Sequence, residues 1–128
     1  MAGHAGLFSN TIDLAKLFQM NLNRGTYAGN SYFSPKTIDY FTEDQSSQTH
    51  RGLGWNKPKD NDGSVSEYAS DETYGHTGFT GTVAWVDPKK DLIFIFLANR
   101  VYPSSTNNKL LANKTRKRIH DVVYRAMR

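Results

Sequence analysis

Residues 74–100 read "YGHTGFTGTVAWVDPKKDLIFIFLANR". Three short strand-like runs follow one another here. Tyr74 to Phe79 is the first. Thr82 to Val86 is the second, after a tight connection through Gly81. Asp87-Pro88-Lys89-Lys90 is a turn, with Asp at its first position and Pro at its second, as a type I turn prefers. Leu92 to Ala98 is the third. The second and third strands are predicted to pair as an antiparallel hairpin. The third is apolar at every position, which suits a central strand covered on both sides. A His-Thr-Gly triplet stands near the end of the first strand.

Helices flank this core of strands. "SNTIDLAKLFQMNLNRG" is the clearest. Asn10 caps it, Asp13 reaches back toward the cap, and Gly25 stops it. Ile12, Leu14, Leu17, Phe18 and Leu22 recur at helical spacing and form its apolar face. "SPKTIDYFT" is a shorter helix with Ser34 as cap and Pro35 at its first position, and with Ile38 and Phe41 facing inward. Residues 44–72 are polar and rich in Gly, Ser, Asp and Asn; they read as a long loop with one short strand around Arg51 to Trp55. The chain ends in "NNKLLANKTRKRIHDVVYRAMR", read as one helix. Ile119, Val122, Val123 and Ala126 hold its apolar period, with Leu111 extending it. The predicted class is α+β: an antiparallel sheet of about three strands with helices packed on it.

The totals limit function. The chain has 128 residues, 38% of them hydrophobic, which suits one domain over 1–128 with a core of its own. A chain of this size buries roughly two-thirds of its unfolded surface. No run approaches the ~20 apolar residues of a membrane span, and the first residues lack the pattern of a signal peptide. Cysteine is absent, so disulfide and thiol chemistry are excluded. From Lys109 onward seven basic residues face one acid, Asp121, giving +6 against −2 for the rest and +4 in total. That reads as a solvated helix face; few aromatics interleave it, and nucleic acid is not expected as a partner. His50 and His120 have no companions at metal-ligand spacing, so no metal and no cofactor are expected. Trp55 and Trp85 read as packing aromatics. Asn113-Lys114-Thr115 matches a glycosylation sequon, a pattern short enough to arise by chance.

Three stretches in colinear order, "GHAGLFSNTIDLAKLFQMNLNRGTY", "GHTGFTGTVAWVDPKKDLIFIFLANRVYP" and the closing helix, together resemble the C-terminal part of the serine β-lactamase-like hydrolases. The branch resembled holds class C β-lactamases, penicillin-binding-protein-like esterases and D-aminopeptidases. The resemblance implies a bacterial hydrolase of esters, amides or β-lactams acting through a serine acyl-enzyme. It implies that His76, Thr77 and Gly78 form the third wall of the site. The N–H of Phe79 would then be one of two oxyanion donors, and Thr77 would bond the substrate's polar groups. Gly78 would allow close backbone approach. His4 in "GHAGLFS" reads either as a neighbour of the same cleft or as a surface histidine at the helix entry.

The chain departs from that pattern in two places. No serine is followed by a lysine three residues on, so the Ser-x-x-Lys nucleophile and base are missing. Tyr27 and Asn30 have the wrong spacing for Tyr-x-Asn, and Tyr68-Ala69-Ser70 has the spacing but falls on the wrong side of the first helix. Both motifs are therefore expected upstream of residue 1, in a partial domain that is inactive alone, and envelope-associated if cut from a longer precursor. A histidine at position 76, where β-lactam hydrolases carry a permanently charged lysine, resembles the esterases and peptidases more. The alternative reading is a non-catalytic module that pairs through an open sheet edge, the strand Leu92 to Ala98, which in the family's sheet is flanked by an N-terminal strand that this chain lacks; the partner would be a second copy or the missing N-terminal half.

Overall fold

Trp85 is 1% exposed and Val86 is fully buried; the strand that carries them organises the rest. The computed structural model describes residues 5–60 and 63–127. Its elements run α1 (Thr11–Leu22), β1 (Thr26–Tyr27), β2 (Asn30–Ser31), α2 (Pro35–Thr42), β3 (Tyr74–Thr77), β4 (Val83–Asp87), β5 (Leu92–Phe96), α3 (Lys109–Ala112) and α4 (Thr115–Ala126). The architecture is α+β. The main sheet has the order β3-β4-β5, antiparallel throughout.

Strand β4 is central and buried at all five positions. Register places Gly75 opposite Trp85 and Trp85 opposite Phe94. Alternate residues therefore reach opposite faces. On one face Ala84 and Val86 meet Phe18 from α1, with Tyr74, Trp55 and Ile95 around them. On the other, Val83, Trp85 and Phe94 meet Val65 from the long loop and Val123 from α4. Strand β5 pairs only with β4 among the described residues; it is the open edge expected of residues 92–98 in this chain, although its apolar run suits a central strand. It stops at Phe96, and of its five residues only Phe94 is fully buried. Its unbroken apolar run reflects cover on both faces, which hydrophobicity alone does not distinguish from a central place in the sheet.

The helix signals hold where caps decide them. The Asn10 Oδ1 accepts from the N–H groups of Ile12 and Asp13, both at 3.0 Å. Asp13 bonds the Asn10 side chain at 2.8 Å. At the other end Gly25 N–H donates to Met20 O and Arg24 N–H to Asn21 O, a paired closure that needs left-handed residues. Both Arg24 and Gly25 have positive φ. A side chain at Gly25 would meet Phe33 O at 2.2 Å. Ser34 caps α2 through Thr37 N–H, with Pro35 in the first turn.

Helical faces are read less well from period. In α1, Phe18 and Met20 are buried, while Ile12 is 69% and Leu17 48% exposed. In α2, Ile38 is buried but Phe41 is largely exposed. The closing helix is two helices, because Lys114 adopts φ 48° and the chain turns there. In α4 the inward face is Arg116, His120, Asp121 and Tyr124, with Val123; Ile119 and Val122 point outward. A polar network explains this inversion. The Asp87 carboxylate, 1% exposed, accepts from Ser70 N–H, Ser70 Oγ, Lys89 N–H and the Tyr124 hydroxyl, at 2.6–3.1 Å. Asp121 accepts from Ser66 Oγ at 2.6 Å and Lys117 Nζ at 2.8 Å. Partnered polar side chains thus take the place of the expected apolar stripe.

Two local features differ from the sequence reading. A small hairpin joins β1 to β2 through Ala28 and Gly29, both at positive φ. Such turns usually announce themselves with Asn-Gly. The expected strand near Arg51 is reduced to single bridges, Arg51 to Asn56 and Asn56 to Gly75. The long polar loop also contributes core: Ser64, Val65 and Ser66 are all buried.

Candidate functional site

His76 and Thr77 are the last two residues of β3, paired with Ala84 and Val83. Gly78 N–H continues the ladder to Thr82 O at 2.8 Å, and Gly81 N–H closes a turn on Gly78 O at 2.9 Å. Two glycines make this hairpin end tight. A Cβ at Gly75 would lie 2.1 Å from Ala84 O, and one at Gly78 would lie 2.2 Å from the Thr82 hydroxyl. The close approach at Gly78 is therefore to the chain's own returning strand.

The triplet opens on a cavity of 840 Å³. Thr80, Thr82 and Asn99 give it a polar side, and Leu7, Phe8 and Leu14 an apolar one. Leu7 is 90% and Phe8 95% exposed, an unusual state for large apolar residues beside a cleft. Ser9 lies on the same cavity; its hydroxyl contacts Asn10 O at 3.4 Å, and no lysine stands there. His4 lies outside the described residues.

The exposed His76 imidazole is fixed at both nitrogens. Its Nδ1 is 2.7 Å from Thr77 O, and its Nε2 is 3.4 Å from Nη2 of Arg51. A guanidinium only donates, so Nε2 accepts in that contact and Nδ1 carries the proton given to Thr77 O. A permanent cation thus sits beside the triplet, contributed by a residue twenty-five positions earlier. Phe79 is 73% exposed. Its carbonyl accepts from Arg100 Nε at 3.0 Å, and its N–H has no acceptor among the described residues. Neither arginine was singled out by sequence reasoning. Arg100 lies within the "NRV" of the family-like stretch, and nothing local marks Arg51.

The second polar centre of the molecule lies away from this cavity. Burial alone would raise the Asp87 and Asp121 carboxyls, but hydroxyl donors at the first, and Lys117 with Ser66 at the second, hold both below the ordinary range. Burial drives His120 down to about 4. These groups tie α4 and the long loop to the sheet. Among the described residues there is no group of three His, Cys, Asp or Glu that would hold a metal. Among those residues no helix is long and apolar enough to cross a membrane. The basic character of the C-terminal segment is partly structural: Arg116 is buried, and Lys117 pairs with Asp121 and Glu67.

A model of the family described as Beta-lactamase matches residues 1–116. The chain belongs to the beta-lactamase family. Among curated proteins, this family member is 43% identical over 102 residues to a protein of Bacillus subtilis (strain 168) named N-acetylmuramyl-L-alanine amidase. It is 39% identical over 115 residues to a protein of Salmonella enteritidis PT4 (strain P125109) named putative D-alanyl-D-alanine carboxypeptidase. The matches take in 78% and 88% of this chain but 23% and 27% of those proteins. The beta-lactamase-family chain thus spans about a quarter of the length of the curated relatives it matches.

Proposed function

We propose that residues 1–128 are the C-terminal part of one beta-lactamase-like hydrolase domain, which cleaves an ester, amide or β-lactam through a serine acyl-enzyme. In this reading His76, Thr77 and Gly78 form the substrate wall and Phe79 N–H is an oxyanion donor. The serine and its base come from residues outside this chain, because nucleophilic catalysis needs an activated nucleophile within reach of a base and, among the described residues, Ser9 bonds only Asn10 O. The observation that carries the reading is the Phe79 N–H, left without an acceptor at the end of a strand whose last residues line the cavity. A donor held for charge that develops only during reaction has this form. The relatives' names favour an amide or peptide-like substrate at that site.

The test is intact mass after incubation with a fluorophosphonate and, separately, a penicillin. Alone, the folded chain is expected to form no adduct. Mixed with the upstream portion of the Bacillus subtilis relative, it is expected to support acylation of a serine in that portion. A stoichiometric adduct on the isolated chain would overturn the division of labour.

A second reading is favoured by the open edge of β5, which has no further strand partner among the described residues and leads into Leu97, 40% exposed. An edge of that kind pairs with another chain, either a second copy or the upstream portion of the domain. Light scattering across a wide concentration range, with and without that portion, separates the two; a monomer that ignores it dismisses the edge as an interface.

A further inference from the structure

Arg100 stands just beyond β5, and its contacts converge on loops. Its backbone N–H donates to Thr80 O at 2.8 Å. Its Nε donates to Phe79 O at 3.0 Å. The guanidinium lies 5.0 Å from the centre of the Phe79 ring. Its Nη1 donates to Ser105 O and Asn107 O, both at 3.2 Å. One side chain therefore holds the turn after the His-Thr-Gly triplet and anchors that turn to the segment preceding α3.

The turn needs such an anchor. From Phe79 to Gly81 it leaves the sheet, and Phe79 is largely exposed. Its own closure is the single bond from Gly81 N–H to Gly78 O. That bond fixes the peptide plane whose N–H belongs to Phe79. It leaves the next two planes, whose oxygens are those of Phe79 and Thr80, free to rotate unless donors on the far side bind those oxygens. Arg100 binds both oxygens, one through its side chain and one through its backbone. With both carbonyls held by Arg100, the turn that carries the Phe79 N–H is held on its far side as well as at Gly78 O.

The geometry points to Arg100 as the positioning residue that holds the Phe79 N–H in place, by tying down the carbonyls of Phe79 and Thr80. A planar fork suits the task, because it reaches several acceptors in a fixed relation while stacking on an aromatic face; an ammonium does neither. The catalytic consequence rests on the acyl-enzyme reading above, whereas the conformational claim stands without it.

The experiment uses the full chain, labelled with ¹⁵N, as wild type, Arg100→Ala, Arg100→Gln and Arg100→Lys. In Arg100→Ala, exchange of the Gly81 amide is expected to accelerate at least about tenfold. Fast motion at the Phe79 and Thr80 amides should rise, with the amides of β4 unchanged. Methylguanidinium is expected to restore Gly81 protection in Arg100→Ala, and Arg100→Lys is not. Arg100→Gln is the fallback should the alanine variant fail to fold, since its amide preserves bulk and one donor. Unchanged exchange and motion in the variants would overturn the assignment, as would rescue by lysine equal to wild type. In the mixture that acylates, Arg100→Ala should lower the acylation rate by roughly ten- to a hundredfold, the range for a displaced group, at nearly constant apparent affinity. A wild-type rate there also overturns it. If the wild-type mixture acylates nothing, the hydrolase reading falls, and the amide data still decide on Arg100.

Discussion

Acidification provides a sharp test of the buried network behind the sheet. His120 is 1% exposed. Its Nδ1 accepts from Ser66 N–H at 3.1 Å, its ring stacks on Phe94 at 4.2 Å and 10°, and its Nε2 has no hydrogen-bond partner among the described residues. Burial lowers its pKa from the ordinary 6.5 to about 4, against a weaker upward pull from the Asp121 and Asp87 carboxylates. The folded value lies below the unfolded one, so the unfolded chain takes the proton first. The stabilisation is complete above about pH 6.5 and is lost as pH falls toward 4. Between about pH 7.5 and 5 the difference comes to about 2 kcal/mol. Asp87 and Asp121 are held below the carboxylate range, so they titrate beneath this window and do not mask it. The assay is urea unfolding followed by tryptophan fluorescence at both pH values, for wild type and His120→Asn. Asparagine keeps an acceptor near the Nδ1 position but does not titrate. The variant should be less stable at pH 7.5, having lost the stacked ring, and should show a pH dependence smaller by about 2 kcal/mol. Equal pH dependence in the two proteins, within about 0.5 kcal/mol, would refute the claim that His120 is buried neutral.

Two further substitutions test other parts of the structure. Gly75→Ala drives a methyl to 2.1 Å from Ala84 O and 2.5 Å from the Trp85 ring. Since the nearest atom is a ladder carbonyl that cannot withdraw, the change should cost at least about 2 kcal/mol; a urea midpoint equal to wild type would show that β3 and β4 are not this close. Asp87→Ala removes a buried acceptor of four hydrogen bonds, the Tyr124 hydroxyl among its donors. It should cost roughly 3–5 kcal/mol, with Asp87→Asn losing less because it keeps one acceptor oxygen; a loss under about 1 kcal/mol in the alanine variant would remove the network from the account of stability.

The sequence by itself determined the parts that depend on neighbours in the chain. Caps, proline and glycine signals placed the starts of α1 and α2 and the stop of α1, because a cap acts within three or four residues and its chemistry is written there. The hairpin of β4 and β5 was legible for the same reason: Asp87 and Pro88 mark its turn, and apolar runs flank it. The α+β class and the family followed from the order of these segments. The triplet His76 to Gly78 was visible as a motif.

Tertiary structure decided what depends on residues far apart. It showed which strand lies beside β5 and which side of β5 stays open, since hydrophobicity records burial and not the identity of the neighbouring strand. It turned Ile119 and Val122 outward and His120, Asp121 and Tyr124 inward, because partners on the loop of Ser66 and Ser70 and at Asp87 satisfy their polar groups. It drew core residues from a loop that composition marked as solvated. It also brought Arg51 to His76 and Arg100 to Phe79 across twenty-five and twenty-one positions. No periodicity encodes such contacts; they exist only once the sheet has fixed which ends of the chain meet.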